Sequence, residues 1–358
     1  MFHRFCCAAL VALLAGTAGC SDDTTPPDDQ GIADGPVADG PVADGGPGQD
    51  GVIDAVPGDT WRPPAKWTTG PDMLNKRSRH TATLLADGRV LVVGGIHNYK
   101  GLTSAEIYDP KQNKWIAAGN MSTAHWAHTA HRLDGGRVIV IGGCSTGPSN
   151  VCMNGVGVDL YDPNNKTKPW SKGTAMSADR RSHCSVKLKD GKILVAGGFS
   201  SSKDHTSIEI YNPGTGFWSL PTATMSTSRN QMACVTLNNG RVLLIGGWDA
   251  TSSPGQLKPL GTIAIYNPSN GTLKLAGGKL KEPRAQHTAT LLPGGKVLIT
   301  GGECDADPSK PPHCKVNSAE IYDPVTDKVV PAGSPGKRTV YHQANLLATT
   351  GDVIVTGG

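Results

Sequence analysis

The stretch DGRVLVVGG at residues 87–95 decides the fold, because near copies of it recur along the chain. The copies are GGRVIVIGG (135–143), DGKILVAGG (190–198), NGRVLLIGG (239–247), GGKVLITGG (294–302) and GDVIVTGG (351–358). Measured between the diglycines, the steps are 48, 55, 49, 55 and 56 residues. A period in this range is typical of an architecture in which each copy is one structural unit.

Each of the first five copies is followed by an apolar strand that ends in an Asp-Pro or Asn-Pro turn. These strands are AEIYDP (105–110), VDLYDP (158–163), IEIYNP (208–213), IAIYNP (263–268) and AEIYDP (319–324). A further strand is marked by Trp115, Trp170 and Trp218, and another, such as HTATLL at 80–85, precedes the diglycine strand. A unit of four short antiparallel strands cannot bury both faces alone, so the copies are expected to stack around an axis as propeller blades.

The diglycine, the downstream Tyr and the later Trp resemble the kelch family of β-propellers. The resemblance covers about residues 61–358 and implies an all-β, kelch-type β-propeller of about six four-stranded blades. Trp67 precedes its blade at the spacing that Trp115 shows, so residues 65–72 are expected to close the last blade as an outer strand. No sixth IYDP strand follows, so either that blade is incomplete or the sequence is a truncated form of the ring.

The first twenty residues, MFHRFCCAALVALLAGTAGC, predict a secretory signal rather than a membrane span. The ending TAGC resembles a bacterial lipoprotein box, which implies lipidation of Cys20; an ordinary cleaved signal or a weak anchor helix is the alternative. Residues 21–60 hold ten Asp and no Lys, Arg or Glu, and predict a disordered acidic Gly/Pro/Asp tether. We therefore expect a monomer in a bacterial cell envelope, held by its lipid at the outer membrane on the periplasmic or the surface face.

The predicted propeller is strongly basic once the tether is set apart. Residues 61–358 contain 33 Lys and Arg and 20 Asp and Glu, a formal charge of +13. Such a field favours an anionic partner, either a protein or an anionic carbohydrate, and no specific nucleic acid is expected. The alternative is a soluble surface that the acidic tether balances.

The long connections between second and third strands are expected to share one face of the disc and to carry binding. Cys144 with Cys152, and Cys304 with Cys314, predict one local disulfide within each of two such loops. Metal binding by Cys304, His313 and Cys314 is the alternative, with poor spacing for zinc. Cys184 and Cys234 fall one position out of register, so they are expected to be buried free thiols.

Arginines share one register at the start of the innermost strands, namely Arg77, Arg180, Arg229 and Arg284. They are expected to ring the axis on the long-loop face, where guanidinium groups could clamp carboxylate, sulfate or phosphate. The alternative is that each braces a neighbouring blade through backbone carbonyls. Histidines share the register three residues later, and as repeat residues they are expected to satisfy buried backbone groups: His80, His128, His183 and His287.

The pair Tyr341-His342 resembles the copper ligands of galactose oxidase and glyoxal oxidase, which use a related propeller, and it makes both residues candidates for ligand binding. Those enzymes also need a second tyrosine joined to a cysteine. The register of Tyr341 holds no other tyrosine, since its occupants are Arg79, Ala127, Ser182, Gln231 and Gln286. A copper site is therefore not expected, and the sequence predicts no metal and no cofactor.

Catalytic motifs such as GxSxG and HExxH are absent from the sequence. The predicted function is accordingly that of an envelope-anchored binding protein that presents its long-loop face to a partner. A carbohydrate-active enzyme (an oxidase, hydrolase or lyase) on the same propeller is the alternative, because propeller active sites draw on several blades and leave no local motif. A third reading is a scaffold that holds other envelope proteins.

Overall fold

A computed structural model describes residues 69–146, 152–155, 157–200, 203–249, 257–304, 316–336, 339–347 and 351–356. Over these ranges the regular structure is antiparallel β-sheet. The predicted signal sequence with Cys20 and the predicted tether lie outside the described residues. None of the described ranges forms a helix with the length and hydropathy of a membrane span.

Five four-stranded sheets, each with its strands in sequence order, and one two-stranded sheet succeed one another along the described chain, and we name them blades 1 to 6. The first strands are Thr81–Leu84, Thr129–Arg132, Cys184–Lys187, Ala233–Thr236, Thr288–Leu291 and Gln343–Leu346. The second strands are Val90–Val93, Val138–Ile141, Ile193–Ala196, Val242–Ile245, Val297–Thr300 and Val353–Thr356. The third strands of blades 1 to 5 are Ser104–Asp109, Val158–Tyr161, Ile208–Asn212, Thr262–Asn267 and Ala319–Asp323. The fourth strands are Lys114–Asn120, Trp170–Lys172, Phe217–Ser219, Thr272–Lys279 and Lys328–Pro331.

The long connections between second and third strands contain short hairpins. They pair Ile96–His97 with Lys100–Gly101, Cys144–Thr146 with Cys152–Asn154, and Trp248–Asp249 with Lys258–Pro259. These connections are the ones that the sequence predicted to share one face.

The second strands are apolar at successive positions because neighbouring blades cover both of their faces. All four residues of Val90–Val93 and of Val138–Ile141 are buried. Leu91 and Val93 of blade 1 belong to one hydrophobic cluster with Val138 and Val140 of blade 2. The core therefore lies in layers between consecutive blades, so each blade depends on its neighbour to bury its apolar surface.

The diglycine that ends each second strand joins one blade to the next. The second glycine donates its N–H to a carbonyl at the start of the following blade, as from Gly95 to His125 at 2.7 Å and from Gly143 to Arg180 at 2.8 Å. The first glycine must leave room for that carbonyl. A Cβ on Gly94 would lie 2.2 Å from the His125 oxygen, and the φ of Gly94 is +61°. Repetition of the diglycine thus follows from repetition of this joint.

A second chain of backbone hydrogen bonds links the blades where their first strands begin. Just before its first strand each blade has one residue with φ between 51° and 57°, and these axial residues are Arg79, Ala127, Ser182, Gln231, Gln286 and Tyr341. From Ala127 onward, each donates its N–H to the carbonyl of the axial residue in the preceding blade, at 2.8 to 3.3 Å. The six blades therefore follow one another in sequence order about a common axis.

The described N-terminal segment contacts blade 1 in the way that the end of one blade contacts the next blade elsewhere. Trp115 donates its indole N–H to the Pro71 carbonyl, as Trp170 donates to the Ala118 carbonyl at the exit of blade 1. The predicted outer strand 65–72 reaches back into residues outside the described ranges. Closure of the last blade by that strand therefore stays a prediction, and blade 6 is described through its first two strands.

Histidines and threonines form a third kind of joint between blades. The Nε2 atoms of His128, His183 and His342 each lie 2.9 Å from a threonine Oγ1 of the preceding blade, on Thr81, Thr129 and Thr288 respectively. Burial lowers the pKa of His183 to about 3 and that of His342 to about 4, so both rings are neutral near pH 7. These histidines contact side-chain hydroxyls of a neighbouring blade, and a hydrogen bond with the backbone three residues earlier raises the pKa of His128, His183 and His342 against the larger effect of burial.

A disulfide joins Cys184 of blade 3 to Cys234 of blade 4, so the expectation of two free thiols was wrong. The cysteines do lie one position apart in the repeat, and they face opposite sides of their own blades. Adjacent blades present opposite faces to each other, so the offset brings the two side chains together, with their Cα atoms 5.9 Å apart. The disulfide replaces the Thr–His joint, because Cys184 occupies the threonine position and Met232 the histidine position.

At the boundary of blades 4 and 5, the described residues contain neither a Thr–His joint nor a disulfide. Ala233 occupies the threonine position, and both ring nitrogens of His287 are buried without a hydrogen-bond partner. We expect Ala233→Thr to supply the missing hydroxyl and to raise the free energy of unfolding by about 1 kcal/mol. Urea denaturation measures this change, with Ala82→Thr as the control because Ala82 is an exposed alanine of the same kind of strand. Equal stabilities of the two variants would contradict the prediction.

Candidate functional site

The four arginines of the predicted ring lie inside the blades and are between 0% and 4% exposed. Arg180 shows the common arrangement: Nη1 donates to the Gly197 carbonyl at 2.9 Å, and Nη2 donates to Glu209 Oε1 at 2.7 Å. Arg77, Arg229 and Arg284 make the same bond to the diglycine of their own blade. The expected exposed clamp is therefore not found. The arginines brace their own blades, and the alternative of bracing a neighbouring blade is not found either.

Variation at this position confirms a structural role. Blade 2 carries His125 in place of Arg, and its partner is the shorter Asp159, 2.9 Å away. Blade 4 keeps Arg229 but has Ala264 in place of the acid, so the guanidinium is bonded to Thr262 and to the Gly246 carbonyl. Burial without that carboxylate lowers the pKa of Arg229 to about 10.

Tyr341 and His342 have separate roles. Tyr341 is the axial residue of blade 6 and is 44% exposed. His342 is 2% exposed and its Nε2 contacts Thr288 and Thr300, so it belongs to the wall between blades 5 and 6. No cluster of three or more metal-ligating side chains occurs among the residues that the structure describes.

The axial residues surround a cavity of about 730 Å³ that residues from all six blades line. Its opening, which we call the mouth, lies on the long-loop face. There, residues just before the axial position bridge to the first residues of the long connections, as Trp126 bridges to Cys144 and Arg181 to Phe199. A volume of this size is typical of small-ligand sites.

On the side of blades 1 to 3, the mouth combines cations with aromatic rings. The Arg79 guanidinium lies 5.2 Å from the centre of the Trp126 ring, and that of Arg181 lies 4.1 Å from the centre of the Phe199 ring. Such stacking fixes the position of a guanidinium at the mouth, and Arg181 Nη1 also donates to Cys144 Sγ at 3.8 Å. Burial and the nearby positive charge of Arg79 lower the pKa of Arg181, and an anion in the mouth would relieve that repulsion.

On the side of blades 4 to 6, hydrogen bonds link the axial side chains, and Glu303 is bridged through its backbone to Ala285 at the mouth. Burial and the nearby charge of Glu303 raise the pKa of Tyr341. Gln231 is the centre of this network, because its Oε1 accepts from Gln286 Nε2 and from Trp248 Nε1, both at 2.9 Å. Its Nε2 donates to the hydroxyl of Tyr341 at 3.2 Å. The other oxygen of the pair, Gln286 Oε1, is buried and has no hydrogen-bond partner.

The described lining of the cavity contains no aspartate and no glutamate. Its histidines include His80 and His131, whose pKa values burial lowers to about 4. The site therefore offers two cations, aromatic rings, hydroxyls and amides. This set suits binding of an anion, and the carboxylate nearest to it among the described mouth residues is Glu303, beside the amide side.

The sequence placed Arg79, Gln231 and Gln286 on the axial register, but it did not identify them, Trp126, Arg181 or Phe199 as site residues. A repeat search selects positions that agree between copies, whereas the mouth residues differ from blade to blade. The available signal was this disagreement at a single register, beside neighbours that repeat faithfully.

Two further predicted sites lie partly outside the described residues. Cys144 and Cys304 are both disulfide-bonded. The Cys152 side chain and all of Cys314 fall outside the described part of the chain, so the pairing within each loop stays a prediction.

Comparison with known proteins finds similarity in parts of this chain. The family model described as Kelch motif matches residues 77–122 and 180–222, which run from the bracing arginine to just beyond the fourth strand in blades 1 and 3. Two stretches of the chain are thus similar to the kelch motif. Kelch repeats generally build protein-interaction scaffolds, and the five four-stranded blades agree with that assignment.

A similar stretch occurs in the spermatocyte protein spe-26 of Caenorhabditis elegans, which is 38% identical to this chain over 55 residues. The match covers 15% of this chain and 9% of that protein. The likeness therefore concerns about one blade, and it says nothing of the rest of either molecule.

Proposed function

We propose that this kelch-repeat chain is an exported, envelope-anchored binding protein that recognises an anionic partner, a protein or an anionic carbohydrate, at the axial mouth. The observation that carries the proposal is the pair of guanidinium groups, Arg79 and Arg181, held over aromatic rings at the entrance of a cavity whose described lining has no carboxylate. A rigid ring that presents fixed donors loses little entropy on binding.

Two independent features support an anionic partner. The charge of +13 over residues 61–358 attracts anions at long range. The mouth adds a short-range contribution, because guanidinium groups bind carboxylates and related oxyanions through paired hydrogen bonds. Field and site thus favour the same class of ligand.

Binding accounts for the mouth better than glycoside hydrolysis does. Most glycoside hydrolases need two carboxyl groups on either side of the scissile bond. The described lining of the cavity offers none, and its histidines are bonded between blades or buried as neutral rings.

Export and anchoring are supported by the sequence. The leader ends in TAGC, and lipidation at Cys20 followed by the acidic tether of residues 21–60 would hold the propeller away from the membrane. A lipidated cysteine would anchor the chain to the outer membrane without a membrane-spanning helix.

The test compares two variants that lose the same charge. Arg181→Gln removes a guanidinium from the mouth, whereas Arg132→Gln removes an exposed one from the far end of a first strand. Titrating the chain from Ser21 onward with acidic oligosaccharides and acidic peptides, we expect saturable binding that Arg181→Gln weakens about tenfold and Arg132→Gln leaves nearly unchanged. Equal losses in both variants would mean a generic field, and would overturn the proposal.

A further inference from the structure

The face of the disc opposite the mouth carries an uneven charge. Because the strands of each blade are antiparallel, the turns from first to second strand and from third to fourth strand share this side, which we call the short-turn face. Counted from the last residue of one strand to the first residue of the next, these turns hold ten Lys and Arg and five Asp in blades 1 to 3. In blades 4 to 6 the corresponding turns hold three Lys and Arg and three Asp. The positive part of the short-turn face therefore belongs to blades 1 to 3, and we call it the basic half.

The acids of the basic half are held within their own turns or by a neighbouring lysine. Asp87 accepts from Arg89 Nε at 2.8 Å, and Asp134 pairs with Lys187 of blade 3. The other three each accept the backbone N–H of the residue two positions later, and they are Asp109, Asp162 and Asp190. Seven exposed cations of the basic half pair with no carboxylate among the residues that the structure describes, namely Lys111, Lys114, Arg132, Arg137, Lys166, Lys168 and Lys189.

The segment that precedes the described chain has the opposite charge. Residues 21–60, the predicted tether, hold ten Asp and no Lys, Arg or Glu. The last of these acids, Asp59, is ten residues before Thr69, where the described chain begins, and ten residues span at most about 35 Å. The carboxylates of the tether can therefore reach the turns of blade 1 and of its neighbours.

The described chain also begins on the appropriate side of the disc. The Pro71 carbonyl accepts the indole N–H of Trp115, as the Ala118 carbonyl in the fourth strand of blade 1 accepts that of Trp170. The residues around Pro71 thus lie beside blade 1 in the place of a fourth strand, and fourth strands run from the short-turn face to the long-loop face. The N-terminal end of the described chain at Thr69 is therefore directed toward the short-turn face, next to the basic half.

We infer that the acidic tether of residues 21–60 binds the basic half of the short-turn face. Ten carboxylates meet seven exposed cations, and a covalently attached segment acts at an effective concentration of about 1 mM. Even an interaction with a dissociation constant of about that size would keep the tether on this face about half of the time. An anionic membrane surface would attract the same cations, but it would have to displace the tether, whose attachment next to blade 1 keeps it close.

This docking would orient the molecule. With the tether on the short-turn face, the long-loop face and its mouth are turned away from the segment that leads to the predicted lipid anchor. The inference goes beyond the proposed function and does not depend on it, because it concerns different cations on the opposite face.

Carbodiimide cross-linking tests the contact directly, because it joins a carboxylate to a lysine amine that touches it. The chain from Ser21 onward is treated at low-micromolar concentration and about 20 mM salt, and the linked peptides are identified by mass spectrometry. We expect tether carboxylates to link to the lysines of the basic half at least about fivefold more often than to Lys296 and Lys328, which lie in the corresponding turns of blade 5. About 0.5 M salt should abolish this preference.

Two matched variants measure the strength of the interaction. A peptide of residues 21–60 is titrated into the same chain with the ten Asp of its tether replaced by Asn, so that its own tether no longer competes. Lys111→Gln combined with Lys168→Gln removes two cations of the basic half, whereas Lys296→Gln combined with Lys328→Gln removes two from blade 5. We expect saturable binding that the first pair weakens about fivefold and the second pair leaves nearly unchanged.

The other outcomes would overturn the inference. Equal cross-linking of the two sets of lysines, or equal effects of the two pairs of substitutions, would mean attraction without a site. Cross-links whose yield rises with protein concentration would assign the basic half to a second copy of the chain, and cross-links that disappear when phosphatidylglycerol vesicles are added would assign it to a lipid surface. Each of these results would leave anion recognition at the mouth untouched, since Arg181→Gln tests that proposal separately.

Discussion

Replacing Gly94 with alanine is expected to destabilise the domain strongly, whereas the same replacement at Gly88 is expected to be tolerated. Both glycines belong to blade 1 and both have positive φ, +61° at Gly94 and +85° at Gly88. Alanine in that region costs about 1 kcal/mol at either position. At Gly88 a Cβ would meet nothing within 4 Å, but at Gly94 it would lie 2.2 Å from the His125 carbonyl oxygen.

The carbonyl cannot move away without breaking the joint between blades 1 and 2, because it accepts the Gly95 N–H at 2.7 Å. Overpacking costs about 1–3 kcal/mol and loss of the hydrogen bond about 1 kcal/mol more. With the φ term, the total for Gly94→Ala reaches about 4 kcal/mol, a large part of the stability of a typical domain. Circular dichroism with urea denaturation of both variants measures the difference. Similar stabilities would show that the diglycine is required for its backbone conformation alone.

Mild acid is expected to destabilise the propeller steeply, at pH values where most domains are still stable. Burial lowers the pKa of His183 and His287 to about 3, and those of His80, His131 and His342 to about 4. The pKa of His128 is also lowered well below its ordinary value. In the unfolded chain these rings titrate near 6.5.

The direction follows from proton uptake. Between pH 6.5 and about 4 the unfolded chain binds protons that the folded chain does not, so the stability is full above pH 6.5 and is lost as the pH falls toward the folded pKa values. Each such histidine contributes a slope of about 1.4 kcal/mol per pH unit, and several together would exceed the usual total stability within about two units.

Urea denaturation at pH 7, 6 and 5 measures this slope directly. His183→Gln removes one of the buried histidines. The slope of its free energy of unfolding against pH should therefore be smaller than that of the parent chain, by the equivalent of about one proton. His97→Gln changes an exposed histidine and should leave the slope as it was. A free energy of unfolding that stays constant from pH 7 to pH 5 would refute the prediction.

The sequence predicted the fold well because the residues that build blades repeat. In blade 1 the apolar run VLVV within DGRVLVVGG coincides with the second strand, and AEIYDP lies within one residue of the bounds of the third strand. The register even placed Tyr341 on the axis, after one extra residue was allowed in the last turn. Residues repeat in this way because equivalent strands in different blades pack against the same kind of neighbour.

Side-chain direction was harder to predict. Arg180 and its equivalents do precede the first strands, but the direction of Arg77, Arg180 and Arg284 depends on an acid on the third strand of the same blade. The evidence was present in the paired variation, since His125 replaces Arg in the blade where Asp159 replaces Glu. The prediction for the cysteines failed for a related reason. It compared the sides that the two residues face within one blade, whereas Cys184 and Cys234 belong to adjacent blades and meet at the boundary between them.

The mouth was the least predictable part, because binding sites on a repeat protein are built from positions that differ between copies. Arg181 and Phe199 are both in blade 3, and their stacking at 4.1 Å depends on the path of a long connection. No spacing in the sequence determines that path.

Because a disulfide replaces one Thr–His joint, the described blades are held together by two kinds of joint that break under different conditions. Protonation would release the histidines at the boundaries of blades 1 and 2, 2 and 3, and 5 and 6, but it leaves the bond between Cys184 and Cys234 intact. A reductant would open that bond and leave the histidines in place. Acid and a reductant would therefore each weaken a different set of blade boundaries first.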